Sequence, residues 1–489
     1  MNLLDVEQLV HNLSDLKFLV IGDLLLDKYL FGDSQRISPE APIPVVDILR
    51  EEVRLGGAGN VANNLAVLGC GVEVVSVVGT DPEGMQLKGL LQRQGIRGDG
   101  VLCVSARVTP CKTRILASNQ QMLRLDREEC FAIAPSQETQ LLDFVRQVVP
   151  NVDVVVISDY QKGVLTDHLL GRLIECCASA DCPVIADPKG DDFSRYQGVS
   201  LLTPNHKEVE LASATKINSP EVLISVGQSL QQKLNLGALL VTRGKDGMSL
   251  FVSDQPPDHL PTEARDIYDV TGAGDTVLAF CAVGLANGFS VLKSAMLANI
   301  AAGIVVGKVG TSTVSAAEVL MAAIDRDQSG SGKVLFPEQL DIVIAGHRQA
   351  GKTIVFTNGC FDLLHAGHIK YLQRARELGD LLVLGLNSDA SIRRLKGETR
   401  PLLCQTERAQ ILAALDCVDY VTVFAEDTPL ELIRLVKPDV LAKGGDYSPE
   451  QVVGREYVES YGGTLVLVEF QKGKSTTNII EEVLTRYRD

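Results

Sequence analysis

The run Gly272-Ala-Gly-Asp275 precedes an apolar stretch, 276–283, that reads as a buried helix. Glycines at a helix start let backbone N–H groups converge on an anion, where the helix dipole also favours negative charge. A carboxylate there would only repel a phosphate, unless it acts as a general base. It would then take the proton from a substrate hydroxyl as that oxygen attacks a phosphoryl group held by the same turn. A glycine turn followed by a capping aspartate is the alternative that the motif alone leaves open. About ninety residues further on, His365-Ala-Gly-His368 follows a strand-like segment and opens a helix. Two imidazoles three apart can share one helix face, and Gly367 removes a side chain that would block close approach. Their N–H donors suit triphosphate oxygens and charge developing at an α-phosphorus. Zinc is the competing reading, but the H-E-x-x-H arrangement is absent and no third ligand stands out. Two phosphate-handling sites are expected.

Other residues gather around these two. Gly56 and Gly57 begin a second glycine-rich turn into a helix, which carries Asn60 and lacks the Rossmann spacing. Asp23 and Asp27 are carboxylates able to accept sugar hydroxyls, and either could equally be a turn or capping residue. Cations for a phosphorylated sugar include Lys112, Arg114, Arg124, Lys162 and Lys189, the last following a predicted strand as site residues do in open α/β sheets. The segment 346–353 fits the literal P-loop pattern. A helix-like segment precedes it and a strand follows, the reverse of what a phosphate cradle needs.

The positioning elements are short β-branched runs at 17–22, 152–158 and 238–242, alternating with helix-like segments. That alternation predicts an α/β fold with a parallel sheet covered by helices. A proline-marked strand near 43–48 suggests a lid or dimer flap. Residues 325–333 are polar and glycine-rich, as a linker is, and strand-like runs at 353–357, 381–386, 420–424 and 464–469 predict a second, smaller α/β domain. The expected division is 1–325, a linker at 326–336, and 337–489. The 489 residues exceed what one core usually organises, and 45% are hydrophobic. A net charge of −16 argues against a nucleic-acid partner. Eleven cysteines without metal-ligand spacing fit a reducing compartment. With no signal-like start and no apolar run long enough to span a bilayer, the expectation is a cytoplasmic protein with no membrane contact.

Together, the glycine turn at 55–69 and the run 269–275 resemble the paired signatures of the ribokinase-like (phosphofructokinase B) carbohydrate kinases. The resemblance implies a three-layer ribokinase-like domain with a small β lid. It makes Asp275 the base and Gly272, Ala273 and Gly274 the anion hole. Asn205-His206-Lys207-Glu208 matches the family's NxxE motif, whose Glu208 helps organise magnesium. Thr242 and Gly244 fall in the nucleotide-phosphate loop, Asn299 lies by the adenine, and Asp23, Gly56, Gly57, Asn60 and Lys189 lie by the sugar. The HxGH run resembles the cytidylyltransferase-like nucleotidyltransferases, implying a Rossmann-like second domain. There Lys396 and Arg408, with Arg400, supply cations, and Lys474, Ser475, Thr476 and Thr477 form a second nucleotide motif.

The combination is similar, nearly end to end, to the bifunctional heptose kinase/adenylyltransferases of Gram-negative lipopolysaccharide synthesis. It implies ATP as co-substrate at both sites, Mg2+, sugar-phosphate substrates and a homodimer. A separate phosphatase would act between the two steps without stable binding. A kinase for another sugar phosphate joined to a cytidylyltransferase is the enzymatic alternative, and an inactive scaffold is the non-enzymatic one.

Overall fold

The computed structural model describes residues 5, 9–10, 12–117, 120–263, 269–308, 310–326, 333–444, 448–468 and 485. The chain divides into two compact units, Gln8–Ser315 and Ala316–Asp489.

The β-branched runs of the first unit form strands that are buried almost throughout. Val154–Ser158 is covered along its whole length and Lys17–Gly22 along all but its first residue, as befits a parallel sheet with helices on both faces. Among the described residues the sheet has nine strands. Their order is Asp258–Leu260, Met248–Val252, Ala238–Thr242, Leu201–Leu202, Val184–Asp187, Val154–Ser158, Lys17–Gly22, Gly71–Gly79 and Arg97–Val104. Only the first two pairings are antiparallel. The carboxyl ends of the central strands deliver Asp23, Asp159, Tyr160 and Asp187 to one edge, the edge at which open α/β sheets bind ligands.

A separate four-stranded sheet, ordered Pro44–Gly57, Leu24–Ile37, Cys111–Ala117 and Gln120–Arg127, is the lid anticipated from 43–48. Its anchor is Tyr29, fully buried, whose hydroxyl accepts from Thr311 N at 3.0 Å. The guanidiniums of Arg54 and Arg114 lie 4.9 and 5.2 Å from its ring centroid, within cation–π range.

In the second unit, among the described residues, five strands, all parallel, run in the order Tyr420–Phe424, Leu381–Asn387, Ile354–Gly359, Val440–Gly444 and Thr464–Val468. The helix Ala316–Arg326 falls in this unit, ahead of the linker expected at 326–336. Gly346 of the helix Pro337–Gln349 faces its Met321 and Ala317. The literal P-loop match straddles the C-terminus of that helix and leads into Ile354–Gly359. A helix C-terminus presents carbonyls and negative dipole, which repel phosphate.

The helix Ala273–Ala286 is buried on every side from Asp275 to Gly284. It packs closely on Val291–Val305: a Cβ at Gly284 would lie 2.6 Å from Ser294 Oγ and 2.8 Å from its Cα. Overpacking of this kind costs about 1–3 kcal/mol. Gly284→Ala should therefore lower the thermal midpoint of the first unit by a few degrees, and an unchanged calorimetric transition would refute this packing.

Candidate functional site

Asp275 lies in the first turn of Ala273–Ala286, only 3% exposed. Its Oδ2 accepts from Asn60 Nδ2 at 2.8 Å and its Oδ1 from the Tyr160 hydroxyl at 2.9 Å. Burial lifts the carboxyl to about 6, against the pull of both donors, and the charge of Asp27 adds to the rise. Gly272 caps the helix at φ 81°, the left-handed region that favours glycine. Ala273 N donates to Val270 O, and the helical ladder begins with Thr276 N to Gly272 O. Of the expected anion hole of Gly272, Ala273 and Gly274, the Ala273 N–H is thus taken by Val270, while Gly274 lies in the first turn, where a helix leaves N–H groups without an intrahelical partner.

On the sugar side the structure redistributes the expected roles. Asp23 is buried, and its carboxylate accepts three backbone N–H groups, from Tyr160 at 3.0 Å, Lys162 at 2.9 Å and Val164 at 3.1 Å. It therefore organises the 160–164 loop rather than meeting a sugar. Asp27 is the carboxylate beside the glycine turn: a Cβ at Gly56 would lie 2.5 Å from its Oδ2, while its Oδ1 pairs with Arg114. Gly57, at φ 57°, caps the helix Ala58–Val67, and a side chain there would strike Leu25 and the carbonyl of Asp23. Asn60 spends its amide nitrogen on Asp275, while its Oδ1 is buried with no partner among the described residues.

Lys189, expected at the sugar phosphate, instead donates to Glu208 Oε1 at 2.7 Å. Lys112 pairs with Asp126 and Glu128, Arg124 with Asp126, and Lys162 with Glu128.

Asn205 and Glu208 form a reciprocal capping box on the helix His206–Ser213, so the spacing of the NxxE motif is that of a helix N-terminus. A parallel bridge joins Asn205 to Thr242 and ties this cap to the nucleotide loop. His206 and Lys207 occupy the first turn without lining the neighbouring cleft. That cleft, about 650 Å³, is bordered by Thr242, Gly244, Ala273, Gly274 and Asn299, with Met248, Val277 and Val306 among its apolar walls. Asn299 Nδ2 donates to Pro261 O at 2.6 Å. A lining that combines the turns at Thr242–Gly244 and Ala273–Gly274 with apolar side chains suits a nucleoside polyphosphate.

In the second unit His365 caps the helix Ala366–Arg376, and the two imidazoles stack with centroids 3.8 Å apart and planes within 19°. Burial, then the charges of His365 and Lys396, lowers His368 to about 4. Lys396, at the end of the helix Asp389–Lys396, thus acts electrostatically on the pair. Arg400 pairs with the buried Asp362, which also accepts Leu402 N at 2.5 Å. Arg408 corrects the expectation of a nucleotide-binding cation. It is fully buried and donates to the carbonyls of Leu403, Cys360 and Asn387 and to Asp389 Oδ1, so it braces the loops around the histidines. Lys474, Ser475, Thr476 and Thr477 lie outside the described residues.

Tyr160 and Asp187 went unassigned in the sequence reading. Asp187 is half-buried and accepts from the Thr203 hydroxyl at 3.3 Å; desolvation of its carboxyl, then the charges of Glu208 and Asp275, raises it well above the usual carboxylate range. Both residues sit at the carboxyl ends of central strands, the one positional signal that could have marked them.

Residues 16–318 match the pfkB family carbohydrate kinases and residues 356–482 the cytidylyltransferase-like family. The first unit resembles phosphofructokinase-2 from Escherichia coli, with a TM-score of 0.54 at 19% identity over 63% of this chain and 98% of that one. It also resembles Arabidopsis thaliana ribokinase, with a TM-score of 0.50 at 21% identity over 63% and 98%. Those two likenesses establish the fold. The full chain is 54% identical to the bifunctional protein HldE of Syntrophotalea carbinolica over 99% of each sequence, and 54% identical to that of Geobacter sulfurreducens over the same shares. The two family matches, together with 54% identity to those relatives along nearly the whole chain, identify this chain as a member of the family of bifunctional HldE proteins.

Proposed function

We propose that the chain carries two ATP-consuming steps of ADP-heptose synthesis for the lipopolysaccharide core. In the first unit the C1 hydroxyl oxygen of D-glycero-D-manno-heptose 7-phosphate attacks the γ-phosphorus of ATP. Asp275 takes the hydroxyl proton and ADP leaves, giving the 1,7-bisphosphate. A separate phosphatase then removes the 7-phosphate. In the second unit a phosphate oxygen of heptose 1-phosphate attacks the α-phosphorus of a second ATP, forming ADP-heptose as pyrophosphate leaves.

The observation that carries this reading is the contrast between the two sites. A hydroxyl nucleophile must lose a proton, and the first site offers a buried carboxylate poised near 6, the range in which a general base works well. A phosphate nucleophile is already ionised and needs no base. The second site accordingly offers two stacked imidazoles, with His368 held neutral above about pH 4, as donors to developing charge.

Magnesium enters with ATP. Glu208 is engaged by Lys189 and by its cap, and among the described residues no three His, Cys, Asp or Glu side chains converge on a metal. Glu208 and Asp187 are the carboxylates that would hold the cation near the phosphates. The ion supplies neutralisation of phosphate oxygens.

We place the protein in the cytoplasm, where ATP is available and where its eleven cysteines stay free. No described helix is long and apolar enough to cross a membrane. A homodimer through the lid is supported by Ile37, Ile48 and Leu49, large apolar side chains exposed on its strands.

Crossed substitutions test the division of labour. Asp275→Asn should lower ADP release from heptose 7-phosphate by about 10²–10⁴-fold while sparing pyrophosphate release from heptose 1-phosphate. His368→Ala should do the reverse, by about 10²–10³-fold. Loss of both activities in either variant, or turnover of the second site with CTP alone, would overturn the reading. The pH profiles should differ too. Asp275 is raised, so it is protonated and inactive below about 6, and kinase kcat should fall on that side. His368 is lowered to about 4 and stays neutral at higher pH, so it should add no acid limb to pyrophosphate release between about pH 5 and 8.

A further inference from the structure

Tyr160 follows the strand Val154–Ser158 and enters a loop pinned by two buried carboxylates. Asp23 takes the N–H groups of Tyr160, Lys162 and Val164. Asp159 takes Gln161 N at 2.7 Å and the Tyr196 hydroxyl at 2.6 Å. Between these anchors Gln161 adopts φ 53°, a left-handed conformation that a non-glycine residue holds only where surroundings enforce it. Five hydrogen bonds and one strained residue thus hold in place the loop that reaches Asp275 through the 2.9 Å bond from the Tyr160 hydroxyl to Asp275 Oδ1.

We propose that Tyr160 is a positioning residue of the kinase site, whose phenol locks the rotamer of Asp275 and strengthens its carboxylate form, so that the base meets the sugar hydroxyl ionised and correctly aimed. This rests on the reading of Asp275 as the base. A carboxylate with one donor on each oxygen cannot rotate without breaking a charge-assisted bond. Asn60 supplies the other donor, from the helix Ala58–Val67. The charged or titratable groups facing Asp275 from neighbouring elements are Tyr160 itself, Asp27 on the strand Leu24–Ile37 and Asp187 on Val184–Asp187. The charge of Asp27 opposes ionisation of Asp275, so the Tyr160 donor works against that field. The phenol keeps its own proton because burial, then the charge of Asp275, holds it well above its usual range. It therefore remains a donor wherever the enzyme works.

The test is the kinase pH profile of the full-length Tyr160→Phe protein, which keeps the ring and loses one oxygen. Losing one donor to the carboxylate should lower kcat about tenfold and move the acid limb up by about one pH unit, leaving KM for ATP within about twofold. Site-specific 3-fluorotyrosine at 160, a stronger donor with the whole contact retained, should move the limb the other way. Asp275→Asn run alongside separates the two ideas. Full activity in that variant removes the base itself. A dead Asp275→Asn together with a limb that stays in place in both Tyr160 replacements overturns the role of Tyr160 alone. Should Tyr160→Phe fail to fold, the fluorotyrosine shift decides, and its absence counts against the proposal.

Discussion

A negative charge kept inside an apolar helix packing is the constraint around which the first unit is built. Residues 275–284 are buried on every side, and an unpaired carboxylate in such surroundings would be costly or would simply stay protonated. Asn60 and Tyr160 bring it back toward the working range. Each donor needs its own scaffold. Asn60 comes from a helix whose start requires the tight turn at Gly57, and a side chain on Gly272 would fall 2.9 Å from its amide nitrogen. The phenol depends on a loop held by Asp23 and Asp159. The glycine turns, the buried aspartates and the strand order all serve one carboxylate.

The second unit meets the opposite demand. Its reaction adds charge to a phosphorus centre already crowded with oxygens, so what matters is the placement of donors. Burial keeps His368 neutral, stacking on His365 fixes its plane, and the immobile guanidinium of Arg408 ties together the loops at 360, 387–389 and 403 around the pair. A buried arginine whose donors go to three carbonyls and to the Asp389 carboxylate is a strut that rigidifies the histidine turn.

What could be read from sequence was whatever depends on local spacing. The glycine turn before Asp275, the paired histidines at a helix start and the inverted order around 346–353 are each written within a few residues, and the helices and strands begin and end where that spacing puts them. Roles set by distant partners were not legible. Asp23 looked like a sugar ligand because its N–H partners lie 137 to 141 residues away. Lys189 looked like a phosphate clamp because Glu208 was not yet beside it. Arg408 carried the same letter that a nucleotide-binding arginine would carry, and only burial tells the two apart. The lid strands were partly visible, but the parallel pairing of Leu24–Ile37 with Cys111–Ala117 joins segments some eighty residues apart, and no local pattern encodes it.

The hydrogen bond from Asn299 to the carbonyl of Pro261 fastens the helix Val291–Val305 to the segment that follows the strand Asp258–Leu260. One N–H of the amide is held on the main chain, so this part of the cleft wall takes its orientation from the backbone rather than from an occupant. A ligand entering the cleft meets an amide already ordered, and the cost of ordering it has been met in folding.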